Sequence, residues 1–166
     1  MHPNRSRRYG FLAAGWAVLF AGAHFFWALG GELGLDISAG SRLAAERPGW
    51  FVAGGLWGVG GLCLVGAVVA GGLARRGVRG RRWRLLKLLG WGVAALLLVR
   101  GIGIEVLILS GVRGVDDAVS SGQRFWTLAL WNPWFILGGL LFALAARNFG
   151  KEPAARPAGE VPEAVR

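Results

Sequence analysis

The 166-residue chain has one cysteine, two histidines and only 17% charged residues, and each scarcity excludes something. A single thiol, Cys63, forms no intrachain disulfide, and inside an apolar run it behaves as a small hydrophobe. His24 stands alone among the apolar stretches. With no histidine or cysteine cluster at ligand spacing, the sequence supports no metal site and implies no cofactor. A G-x-S-x-G nucleophile elbow is missing, and no nucleic-acid-binding motif accompanies the net charge of +10. Soluble domains are about a quarter charged. This chain has too little charge for a water-facing surface.

What it has instead is apolar length. Hydrophobic residues make up 54% of the chain, mean hydropathy is +0.49, and the apolar residues gather into four blocks, 11–31, 50–73, 85–110 and 125–146. Each is long enough for a helix to cross a hydrocarbon core of about 30 Å. A membrane-embedded backbone must satisfy its own hydrogen bonds, and the period-2 alternation of a lipid-facing barrel strand is absent. The sequence therefore predicts an all-α polytopic membrane protein, a four-helix bundle.

Charge orients the bundle. Arg5, Arg7 and Arg8 precede the first block, and Arg75, Arg76, Arg79, Arg81, Arg82, Arg84 and Lys87 crowd the second connection. Arg147, Lys151, Arg156 and Arg166 follow the fourth block, whereas the other two connections hold Arg42, Arg47, Arg113 and Arg124. Basic residues stay on the cytoplasmic side. Both termini and the arginine-rich loop are thus expected in the cytoplasm, in a multi-pass plasma-membrane protein. Anionic lipid headgroups, rather than nucleic acid, are the expected partners of the basic loop.

The first block also imitates a secretory signal, with a basic start and Ala21-Gly22-Ala23 resembling a cleavage site. "SRRYGFL" adds a likeness to a twin-arginine signal. The apolar run continues through Phe25, Phe26, Trp27 and Leu29 to full spanning length, so an uncleaved helix is expected. The membrane domain is expected over 1–149. Residues 150–166 are proline-rich and polar, a composition that predicts a disordered cytoplasmic tail.

One phrase occurs twice. Trp50-Phe51-Val52-Ala53-Gly54-Gly55-Leu56 and Trp134-Phe135-Ile136-Leu137-Gly138-Gly139-Leu140 share W-F-x-x-G-G-L just after a proline, near the start of an even-numbered block. Aromatics favour the membrane interface, and glycines allow a neighbouring helix to approach closely. Equivalent packing roles for the second and fourth helices follow, whether by duplication or convergence. Gly54 and Gly58 share one face, again a packing surface. Inside a spanning helix the glycine-rich run does not read as a phosphate loop.

Four polar side chains interrupt the blocks: His24, Arg100, Glu105 and Asn132. Polar groups inside a membrane are functional-site candidates by default. At about 1.5 Å per residue, His24, Arg100 and Asn132 fall in one layer of the outer half, with Trp57 at a similar depth. Glu105 lies about one and a half turns further out. His24 and Glu105 are the candidate proton donors or acceptors. Arg100 suits an anionic or carbonyl group, with Asn132, Trp27, Trp57, Trp131 and Trp134 walling a lipophilic ligand. Structural roles account for the same residues: a snorkelling Arg100, interhelical hydrogen bonds from His24 and Asn132, and a tryptophan belt. Arg100 and Glu105 are about 140° apart around a helix, so a direct pair requires reaching side chains.

His24-Phe25-Phe26-Trp27-Ala28-Leu29-Gly30-Gly31 resembles a family of small bacterial membrane proteins, domain of unknown function number 3995. The resemblance extends to Trp131-Asn132-Pro133-Trp134-Phe135, Gly138-Gly139 and Phe142, and spans the chain to about Phe149. It implies no activity but marks His24, Trp27, Asn132 and Trp134. A fainter analogy, in residue types alone, is to four-helix sterol isomerases and their sterol-binding relatives. Three functions stay open: a binder of a lipophilic small molecule, an isomerase or cyclase acting on an isoprenoid or sterol-like lipid, and a subunit that docks a membrane-protein partner or a second copy.

Overall fold

The computed structural model describes residues 5–75, 78, 80–111 and 120–150, and among them it is helical with no strand. The pair Asp116 and Asp117 and the tail beyond 150 lie outside the described residues. Four helices are long and apolar enough to cross a membrane: Arg7–Ala28, Phe51–Leu73, Gly80–Leu109 and Ser121–Asn148. In chain order the elements are α1 (Arg5–Ala28), α2 (Leu35–Ala39) and α3 (Ser41–Glu46), then a π-helical stretch Phe51–Gly58 that continues as α4 (Val59–Leu73). Next come α5 (Gly80–Leu109), α6 (Ser121–Trp126), a second π-helical stretch Thr127–Trp131, and α7 (Asn132–Asn148). Arg81, Arg82 and Arg84, which the sequence assigned to a connection, form the first turns of α5.

The spans are built inside out relative to a soluble bundle. Leu62, Val65, Val68, Leu88, Leu96 and Val99 are exposed on the outer surface, whereas alanines and glycines fill much of the interior. Helices apolar on every side suit a solvent that is itself apolar. There association depends on close packing, which small residues permit. The closest packing is between α5 and α7 and between α1 and α4, with α1 also against α7.

Glycine makes these approaches possible. A Cβ at Gly10 would lie 2.9 Å from the Ala70 carbonyl oxygen, and one at Gly139 would lie 2.6 Å from Leu98 and 3.1 Å from the Ala94 carbonyl oxygen. The second span meets α5 beside the loop joining them, where Gly72 faces Leu86 and Leu73 lies on Gly90. At its far end, Phe51–Gly58 packs on α1. The second and third spans therefore diverge away from their shared loop.

Three clusters stack along the bundle. Near the loop end lie Leu73, Ala145, Ala146 and Phe149. In the middle are Ala13, Trp16, Ala17, Phe20, Ala70, Ala94 and Phe142. At the far end Trp27, Leu35, Phe51 and Leu56 pack under α2 and α3. Those two short helices form a lid. It is tied down by Leu35, which is buried, and by Arg47, whose guanidinium donates to the Trp27 carbonyl at the end of α1.

The repeated phrase is helical in both copies, π-helical over Phe51–Gly58 and α-helical within Asn132–Asn148, and the two copies pack differently. Gly138 accommodates the Trp16 ring of α1 and Gly139 the α5 backbone, so that copy is a junction of three helices. In the other copy a Cβ at Gly54 would meet nothing within 4 Å, and Gly55 is covered by Phe51 of its own helix. Trp50 is 68% exposed. The expected equivalence of the second and fourth helices does not hold. Gly54 and Gly58, expected to pack, are exposed within the chain.

Candidate functional site

The site begins with a proline. Pro133 lacks an N–H, and its ring clashes with the carbonyl four residues earlier. The backbone answers with a wide turn: the Asn132 N–H donates to Thr127, five residues back. α7 then starts at Asn132, which is 0% exposed, at a close approach of α5. There a Cβ at Gly101 would lie 3.1 Å from the Asn132 carbonyl oxygen.

Asn132 joins the two charges of α5. Its Nδ2 donates to Glu105 Oε2 at 2.7 Å, and Arg100 Nη1 approaches its Oδ1 at 3.5 Å. The amide orientation follows from chemistry, because only its oxygen accepts from a guanidinium and only its nitrogen donates to a carboxylate. Among the described residues Arg100 and Glu105 form no direct ion pair. The 140° between them is spanned by an amide from the facing helix.

His24 belongs to a neighbouring aromatic set. Its Nδ1 bonds the Phe20 carbonyl of its own helix at 2.9 Å, the ring is 9% exposed, and its edge contacts are with Phe20 and Trp27. Phe20 in turn touches Trp131, Trp134 and Phe135. The Arg100 guanidinium carbon lies 4.9 Å from the Phe135 ring centre. Phe20 and Phe135 thus separate His24 from the Arg100–Asn132–Glu105 chain while linking the two in one layer.

Trp27 and Trp131 join this layer, their rings 6.1 Å apart, and Trp134 stacks on Trp16. The Trp16 Nε1 donates to the Trp134 carbonyl at 3.1 Å. Among the described residues, the buried Nε1 atoms of Trp131 and Trp134 have no acceptor. Trp57 sits apart from the others. It is 46% exposed and packs its ring on Phe25.

The linking aromatics Phe20 and Phe135 were not singled out from sequence, although their spacing carried a signal. Trp16, Phe20 and His24 recur every four residues, and so do Trp131 and Phe135, which places each set on one helix face.

Arg100 occupies a distinctive position on α5. It lies on the stripe of Leu86, Val93 and Leu97, residues that turn towards α4 or the central cluster. The second span packs on α1 through Phe51–Gly58 and α4, and Arg100 is exposed. The guanidinium lies over Phe135 and towards the Asn132 amide, both on α7, and the residue remains exposed. Its contacts use one nitrogen and one face, leaving donors for a further acceptor.

No group of three or more candidate metal ligands occurs among the described residues. No curated protein and no solved structure matches the chain significantly. The family described as "Protein of unknown function (DUF3995)" matches residues 17–142, a stretch that contains His24, Arg100, Glu105 and Asn132, and the chain belongs to that family.

Proposed function

We propose that this membrane protein binds a lipophilic molecule with an anionic or carbonyl head, held against the exposed Arg100 beside α7. The observation that supports the reading is the Arg100 guanidinium itself. It is exposed well inside a spanning helix, and its nearest hydrogen-bond partner is a neutral amide oxygen at 3.5 Å. A cation in that setting favours an acceptor from outside the chain. Phe135 and the aromatic layer behind it suit an apolar body, and Asn132 holds Glu105 beside the site without neutralising Arg100 directly.

His24 and Glu105 make their hydrogen bonds to different partners, His24 within α1 and Glu105 with α7. An acid–base role for the pair draws no support from a common target, so binding is the preferred reading over isomerisation or cyclisation.

The test compares lipids retained by purified wild type, Arg100→Ala, Asn132→Ala and the lipid-facing control Leu96→Ala, identified by mass spectrometry. A species beyond bulk phospholipid should be retained by wild type and the control, lost in Arg100→Ala and reduced in Asn132→Ala. Identical extracts from wild type and Arg100→Ala would rule the site out.

A further inference from the structure

At the loop end of the bundle, away from Arg100, α1 and α4 cross where Gly10 meets Ala70 and Ala74. Beside this crossing runs an open groove of about 580 Å³, lined by Arg7, Phe11, Val68, Gly71, Ala74 and Arg75. Its composition is split. Phe11, Val68, Gly71 and Ala74 provide an apolar bed, and Arg7 and Arg75 stand at the end where the two helices leave the apolar blocks. Arg7 is held over the bed by its own helix, its guanidinium carbon 5.6 Å from the ring centre of Phe11 one turn on. Among the described residues no carboxylate lines the groove. Gly71 keeps it open: a Cβ there would meet nothing within 4 Å, whereas the adjoining Gly72 is filled by Leu86.

We infer that this groove is a binding site for one anionic phospholipid, with its phosphate between Arg7 and Arg75 and the upper part of an acyl chain along Phe11, Val68 and Gly71. Charge complementarity selects the occupant. Two guanidinium groups next to an apolar surface, with no carboxylate beside them among the described residues, match a molecule that carries a phosphate and a hydrocarbon chain on one backbone. A zwitterionic lipid offers the same chain, but its own ammonium offsets the phosphate charge. Each arginine near a membrane surface favours an anionic lipid by roughly fivefold. Two acting together favour it by on the order of 30-fold. The inference does not depend on the Arg100 site.

The experiment is native mass spectrometry of the purified full chain titrated with phosphatidylglycerol or phosphatidylcholine of matched chains. Four proteins are compared: wild type, the Arg7→Ala/Arg75→Ala double variant, an Arg81→Ala/Arg82→Ala double variant that removes equal charge from the exposed start of α5, and Gly71→Leu. Wild type should bind a first phosphatidylglycerol on the order of 30-fold more tightly than phosphatidylcholine. The Arg7→Ala/Arg75→Ala protein should lose that preference, and the Arg81→Ala/Arg82→Ala protein should keep it. Gly71→Leu, which fills the bed and leaves both arginines in place, should weaken the first binding event for both lipids. Equal losses in the two arginine variants, or unchanged binding by Gly71→Leu, would show diffuse attraction to a basic surface and overturn the site.

Discussion

Asn132 offers the sharpest test of how the polar residues are held. Replacing it with alanine removes a fully buried amide that donates to Glu105 at 2.7 Å and faces Arg100 at 3.5 Å. The second contact is too long to contribute much, so the first dominates. Hydrogen bonds to charged groups contribute about 1.5–3 kcal/mol in soluble proteins. Interhelical bonds within membranes average about 0.6 kcal/mol with a maximum near 1.7, because the unfolded helices find other partners. A short bond to a carboxylate belongs near the top of the membrane range, about 1.5 kcal/mol. Asn132→Ala alone will cost more, since it also leaves a void, so the single variant does not isolate the bond.

The double-mutant cycle Asn132→Ala with Glu105→Ala does isolate it, measured by reversible unfolding in mixed micelles. The expected coupling is about 1–2 kcal/mol. Glu105→Gln keeps an acceptor without the charge and should retain about half of it. A coupling below about 0.3 kcal/mol, within the scatter of independent sites, would refute the claim that Asn132 links the two helices through Glu105.

Two further predictions follow from the packing and the charge pattern. Gly139→Ala should destabilise the bundle by about 1–3 kcal/mol through overpacking against Leu98 and the α5 backbone. Gly54→Ala, in the glycine pair of the other copy, should be neutral or stabilise it by up to about 1 kcal/mol, and equal losses of melting temperature would contradict the asymmetry. Single cysteines at the exposed positions Ser41, Arg82 and Ser120, in a Cys63→Ala background, should react with an impermeant reagent on intact cells at Ser41 and Ser120 only. Labelling confined to Arg82 would reverse the topology.

The four spans were legible because a membrane leaves the backbone almost no alternative to a helix, whatever the side chains do. The polar residues were legible for a related reason: lipid makes each one conspicuous. Their partners were not. Arg100 and Glu105 stood about 140° apart on one helix, and only the α7 register shows an amide reaching both. That register depends on a wide turn ahead of Pro133, one residue out of step with an ordinary helix, which hydropathy does not record. The lid helices were hidden too. Segments of five and six residues have no helical stability of their own, and these are held by Leu35 packing and the Arg47 bond to Trp27. The repeated phrase misled because identical letters fix what a helix can offer and leave open which neighbour arrives. Gly138 meets a tryptophan from α1, whereas a Cβ at Gly54 would meet nothing within 4 Å among the described residues.

The energetics of the polar layer bear on why Arg100 is there at all. Placing an arginine in mid-span costs about 2.5–3.5 kcal/mol on insertion scales, less towards the helix ends. Against this, a guanidinium over an exposed aromatic face gains about 0.5–1 kcal/mol, and the 3.5 Å approach to Asn132 adds little. Glu105 is already satisfied by the Asn132 amide at 2.7 Å, so the interhelical bond would stand with leucine at position 100. The fold thus has no structural need for the guanidinium that its own contacts reveal. What the contacts leave over is an exposed positive charge backed by aromatic rings. An acceptor-bearing lipophilic ligand would offset the remaining cost, and a leucine could not hold it.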